Sequence, residues 1–284
     1  MTAWRRLCLT GVVISSLASC ANLANVRTFG DATKTVSTAT QAIITDDQAS
    51  CDRRGAIVAE YYKIVQRPMP PHDCTRLQTV LKGVLVTNQA LAAYASALSS
   101  LAQDSVVTFT AEGTEATNTL KGIPGVSADQ ATAVGDLAAF VASAATSGYR
   151  QREIDKAMTG KMAENFKTTV AVLQQLARQY HENLVTEVTA LDLTGLGLGS
   201  YERAEPLAGA EFENRIDRLK ADIKNHQDAL DEYEKSLSAM LKAFDGAVTD
   251  LSHPTTEQLL DSVKGFASQA NAVRQAVQKA FPSL

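Results

Sequence analysis

Aromatic side chains are scarce in this chain: one Trp, seven Tyr and eight Phe among 284 residues, 6% in all. With alanine abundant, that shortage argues against a sheet sandwich and for helices packed closely through small residues. Basic clusters are missing too. The formal net charge is −4, and lysines and arginines are dispersed along the body. That pattern excludes nucleic acid as a partner and electrostatic capture by anionic lipid. There is no internal repeat and no low-complexity tail. Four histidines, at 72, 181, 226 and 253, leave few ways to build a metal or acid–base centre. Cysteine occurs four times, at 8, 20, 51 and 74.

What is present begins at the amino terminus. Arg5 and Arg6 precede an apolar run from Leu7 to Leu17, too short for a transmembrane helix. Leu17-Ala18-Ser19-Cys20 follows, with small residues directly before a cysteine. This stretch resembles the lipobox of bacterial lipoproteins. The resemblance covers residues 1–20 and implies a signal peptide, 1–19, that is removed. It also implies diacylglyceryl and acyl (palmitate-type) attachment at Cys20. One acyl chain anchors a protein only marginally, whereas two or more hold it stably. The body would be residues 20–284, one elongated domain. Ala21 and Asn22 follow the cysteine. The Asp that resembles an inner-membrane retention signal is missing there, so the resemblance implies the outer membrane of a Gram-negative bacterium, with either leaflet open.

The cysteines then divide by role. Cys8 leaves with the leader and Cys20 carries lipid. Cys51 and Cys74 remain in an oxidising compartment and read as a disulfide; the other reading is two free buried thiols. Closing a loop of about 24 residues stabilises a fold by roughly 3 kcal/mol in the chain-entropy account. Between the two cysteines lies Arg67-Pro-Met-Pro-Pro-His-Asp73, which three prolines keep out of helix. A helix over 51–66 rises about 22 Å, and an extended chain over 68–74 also spans about 22 Å. A linker running back along the preceding helix therefore brings the two sulfurs together. A tight hairpin would leave them a whole helix apart.

Elsewhere the patterning is helical. Phe29, Val36 and Ile43 recur at sevens in a segment ending near Asp46, and Ile57, Tyr61 and Ile64 mark a second segment over about 48–66. Asp73 reads as the N-cap of a helix reaching about Gln103, with a heptad seam through Leu81, Val84, Asn88, Leu91, Ala95 and Leu98. Val106–Thr110 reads either as strained helix or as a short strand able to pair with Leu193–Tyr201. Lys121-Gly-Ile-Pro-Gly125 breaks the chain. Ser127 with Gln130 makes a capping box for an Ala-rich helix. Gly148 and Gly160 punctuate weakly. Helices are then expected over about 161–191 and 211–251, the latter roughly 60 Å long. Leu193–Gly209 reads as an irregular Gly/Leu-rich segment, and Thr255 with Gln258 caps a last helix. Long helices with one apolar stripe must pack on one another. The fold class expected is all-α, an elongated antiparallel helical bundle.

Sites for chemistry fail on spacing. His181-Glu182 starts like a zincin motif, but position 185 is Val. Asp250-Leu-Ser-His253 is a single copy where di-iron bundles need two. Gly195, Gly197 and Gly199 lack the spacing and context of a dinucleotide loop. Asp228, Asp231, Glu232 and Glu234 interleave with bases as a solvated face. His226 lies on the apolar stripe between Ile223 and Leu230 and reads as an interior histidine. No cofactor, metal or catalytic residue is expected. Leu193, Leu196, Leu198 and Tyr201 are the candidate partner contacts, either tucked onto the bundle end or presented to a partner or membrane. The chain reads as a non-enzymatic, membrane-anchored scaffold or interaction module of the envelope, with a protein partner there. The alternative is a binding protein for an apolar small molecule or lipid, which requires an enclosed apolar cavity.

Overall fold

A computed structural model describes residues 4–103, 113–123, 126–144, 150–197, 206–252 and 257–282. These contain eight helices and no strand: α1 (Trp4–Ile64), α2 (Thr75–Leu101), α3 (Gly113–Lys121), α4 (Ala128–Ala144), α5 (Arg150–Met158), α6 (Gly160–Gly197), α7 (Pro206–Ser252) and α8 (Glu257–Ala280). The protein is all-α. Among the described residues, no helix is long and apolar enough to cross a membrane.

The ends of the helices follow from local chemistry. Gln66 takes a left-handed φ of 51°, and the Arg67 N–H donates to the Tyr62 carbonyl at 3.0 Å. Pro68 then prevents continuation. The N-cap of α2 is Cys74 rather than the expected Asp73; Asp73, one residue earlier, accepts from the Thr75 N–H on Oδ1 at 2.8 Å. The expected capping box is present: the Ser127 N–H donates to Gln130 Oε1 at 2.8 Å, and the Gln130 N–H donates to Ser127 Oγ at 3.1 Å. Gly160, with φ +54°, separates α5 from α6.

Contacts fix the helix directions. Asn88 Nδ2 donates to the Ser37 carbonyl at 2.9 Å and Ser99 Oγ to Asp31 Oδ1 at 2.7 Å. Rising numbers on α2 thus meet falling ones on α1, an antiparallel pair. Glu187 of α6 meets Ser50 and Phe166 meets Phe29, so α6 runs parallel to α1. Tyr233 meets Thr40 and Arg215 meets Glu60, so α7 runs antiparallel. All the helices but α3 contribute to one contiguous apolar core. Its densest layer centres on Phe29, whose ring centroid lies 5.8 Å from Phe166, 5.8 Å from Phe244 and 5.5 Å from Phe266. Phe166 and Phe244 stack at 4.2 Å. Few aromatics thus go far, because each buried ring is worth about 2–3 kcal/mol of transfer free energy. A smaller cluster of Ala90, Leu120, Ile123, Ala131 and Val134 joins α2, α3 and α4.

Two further expectations need correction, and one helix, α3, was not expected. The two segments expected before Gln66 are one helix, because nothing between Asp46 and Gln48 breaks it: Asp46, Asp47 and Ser50 all find partners on α6 or α7. Helix α3 carries no strong pattern in the sequence and forms over Ala116 and Leu120, which it buries against α2 and α4. Leu193–Gly197 and Pro206–Gly209 are helical rather than irregular. Gly195 approaches Ile216, and Gly197 lies where a Cβ would meet the Tyr61 ring at 2.4 Å. Gly197 admits close packing of Tyr61 instead of breaking the helix, whereas at Gly195 a Cβ would make only an ordinary contact. Val106–Thr110, Gly148, His253 and Thr255 lie outside the described residues.

Candidate functional site

The largest buried polar cluster sits where α1, α6 and α7 meet. Positions 46, 47, 50 and 53 fall on adjoining stripes of α1 at helical spacing. Arg53 reaches both Asp46 and Glu187: Nη1 donates to Asp46 Oδ1 at 2.7 Å, and Nε donates to Glu187 Oε1 at 2.8 Å. Glu187 also accepts from Ser50 Oγ at 2.5 Å. Asp46 further accepts from the Tyr180 hydroxyl. His226 Nδ1 lies 2.9 Å from Asp46 Oδ2 but without hydrogen-bond alignment. Its ring packs against Phe281 at 4.8 Å.

Electrostatics separate the two adjacent aspartates. Burial raises Asp46, yet His226, Arg53 and Tyr180 outweigh it and hold the carboxyl well below the usual carboxylate range. Burial also dominates at Asp47, and here it wins. Only Asn183 Nδ2 donates to it, at 2.8 Å. Its Oδ2 has no partner, the ionised Asp46 adds repulsion, and the carboxyl is pushed up to about 6. Burial likewise pushes the Tyr180 phenol up, with Asp46 adding to it.

Beside this cluster lies a half-open cleft of about 400 Å³, lined in part by Asp46, Arg53, Glu187, His226, Ile223 and Phe281. Its charged groups already bind one another. What the arrangement accomplishes is mutual neutralisation across three helices, which fixes their register. No residue there stands as a free nucleophile beside a base. His226 is interior, as its place on the stripe suggested. Asp228 pairs with Lys224 and Glu232 with Lys235 on an exposed face, a solvated arrangement.

The expected cystine is present. Cys51 and Cys74 are bonded, with Cα atoms 6.2 Å apart. The back-running linker is there as well: a Cβ at Gly55 would meet the His72 ring at 2.4 Å, so His72 lies directly on α1. Among the described residues, Cys51, His72 and Cys74 form the one group of three metal-donor side chains.

Of the candidate partner contacts, Leu193 and Leu196 are presented rather than tucked in, at 60% and 81% exposure. Val185, at 47%, shares their face of α6, and Leu207, in the first turn of α7, is 90% exposed. Leu198 and Tyr201 lie outside the described residues. Cys20 is on α1, six residues before Val26, a buried core residue.

Reading the sequence alone missed Asp46, Asp47, Arg53, Tyr180, Asn183 and Glu187. The signal available was the 46-50-53 spacing on a segment otherwise patterned as a core helix. No family model, curated protein or solved structure matches this chain.

Proposed function

We propose that this chain is a lipoprotein anchored through Cys20 to the outer membrane, acting without enzymatic activity as an envelope scaffold or interaction module. Residues 1–19 serve as its signal peptide. The observation that carries the reading is the arrangement of α1. It runs without a break from the Leu17-Ala18-Ser19-Cys20 box into the core. From Cys20 to Tyr61 it rises about 60 Å. Tyr61 packs against Gly197, so exposed Leu193 and Leu196 sit at the far end from the anchor. A rigid rod with lipid at one end and apolar side chains at the other suits a protein that holds an envelope partner at a set distance. The titratable groups of the buried cluster serve packing, which agrees with a non-enzymatic role.

The test is photocrosslinking in intact cells from position 196, in wild type and in Cys20→Ala. A defined partner captured by the anchored form, and lost with Leu193→Asp, supports the reading. Equal capture by the unanchored form, or none by either, overturns it. The rival reading, an apolar ligand between helices, has thinner support. The aromatic layer is filled by rings in contact, and the cleft beside His226 is half-open and charged.

A further inference from the structure

We propose that the Cys51–Cys74 cystine, once reduced, becomes a zinc site with His72 as its third ligand. The side chains already converge. His72 Nε2 lies 3.3 Å from Cys74 Sγ and 3.7 Å from Cys51 Sγ. All three donor atoms fall within 4.8 Å of one another. Ligands of a tetrahedral ion with Zn–S near 2.3 Å and Zn–N near 2.1 Å sit roughly 3.5–4 Å apart. The imidazole is therefore at its ligand position already, and only the two sulfurs need to separate. A fourth donor is at hand, since Asp52 Oδ1 lies 3.6 Å from Cys74 Sγ.

The surroundings favour this chemistry over accidental proximity. The linker holds His72 against α1 independently of the cystine, through the contact at Gly55 and the bond from Nε2 to the Cys51 carbonyl at 3.0 Å. Reduction thus leaves the imidazole in place. Cys74 is the N-cap of α2, at the positive end of the helix dipole, which favours a negative thiolate over a neutral thiol. Cys51 is buried, Cys74 half-buried and His72 exposed, so reductant and metal have a path in from the His72 side. Two thiolates, an imidazole and a carboxylate match Zn²⁺ in softness and number.

The steps balance as follows. A dithiol reductant transfers two electrons and two protons to the S–S bond, giving two thiols and the reductant's own disulfide. Zn²⁺ then replaces the two thiol protons, which pass to solvent, and His72 moves its Nε2 proton to Nδ1 through solvent, exchanging its bond to the Cys51 carbonyl for a bond to the ion. The proposal does not depend on the lipoprotein reading.

The experiment uses the full chain carrying Cys8→Ser and Cys20→Ser, so that Cys51 and Cys74 are the only thiols. Reduced and oxidised protein are titrated anaerobically with Co²⁺ as the spectroscopic stand-in for Zn²⁺. Reduced protein is expected to show thiolate-to-cobalt charge transfer and tetrahedral visible bands saturating at one ion per chain, with Zn²⁺ displacing the cobalt. Oxidised protein should show neither. His72→Ala, an exposed change, should weaken binding by at least the 10- to 100-fold that even outer-shell partners are worth. Absence of the bands in reduced protein that keeps its helical circular dichroism overturns the proposal. So does unchanged affinity in His72→Ala, or equal binding by the oxidised chain.

Discussion

Arg53 serves two buried carboxylates at once, Asp46 at 2.7 Å and Glu187 at 2.8 Å. Replacing it with Met keeps the aliphatic stem and leaves both acids without their cation. Breaking a buried pair in this way costs about 3–5 kcal/mol, so the urea midpoint of Arg53→Met should fall well below that of wild type. A loss under about 1 kcal/mol, the size of a surface pair, would mean that water solvates the cluster. Asp47 offers a second test through pH. Its folded carboxyl, pushed up to about 6, holds its proton longer than the unfolded one at 3.8. The folded state thus binds more protons between those values. The contribution of Asp47 is full below about pH 4 and is lost as pH rises through about 6. Relative to Asp47→Asn, wild type should lose about 2 kcal/mol between pH 4 and pH 7. Asp46 and Arg53 on α1 and Asn183 on α6 are common to both proteins and drop out of the difference. A difference that is flat across that range contradicts the assignment.

At the level of helices, close approach decides what sequence patterns leave open. Gly30 on α1 faces α2 so tightly that a Cβ there would lie 2.7 Å from the Ala95 carbonyl oxygen. Alanine gains about 1 kcal/mol of helix propensity, but a backbone atom cannot step aside as a flexible side chain can. Overpacking costs about 1–3 kcal/mol, so Gly30→Ala should lower the thermal midpoint. Gly265 on α8 has nothing within 4 Å of a Cβ; there the propensity gain stands alone and Gly265→Ala should raise it. Equal effects of the two changes would contradict the packing described. The same physics explains what the sequence made legible. Heptad spacing located the buried face of α2, and the Ser127–Gln130 box located the start of α4, because both signals are local. The prolines and cysteines yielded the back-running linker because chain length left few geometries. The cluster of Asp46, Arg53 and Glu187 stayed hidden, since its partners lie 134 residues apart in sequence and charged residues on a helix ordinarily face water. Gly197 misled for a related reason. A glycine that admits Tyr61 looks in sequence like one that ends a helix.

Across the whole molecule, the cystine and the anchor carry the consequences. The Cys51–Cys74 bond closes a separation of 23 residues, worth about 3 kcal/mol in the chain-entropy account. Reductant should lower the urea midpoint of wild type accordingly and leave a Cys51→Ala/Cys74→Ala variant unmoved. A reductant effect of equal size on both would show that the cystine is not its source. The larger claim is that the bundle stands on a lipidated Cys20, with α1 carrying the apolar end of α6 about 60 Å away. The measurement that bears on it most directly is the intact mass of the chain purified from the membranes of a Gram-negative host, beside Cys20→Ser. The account predicts a chain beginning at Cys20, heavier by one diacylglyceryl and one acyl group, and a Cys20→Ser form that has lost both the cleavage and the added mass. A wild-type chain that retains residues 1–19, or begins at another residue with an unmodified Cys20 thiol, would contradict it.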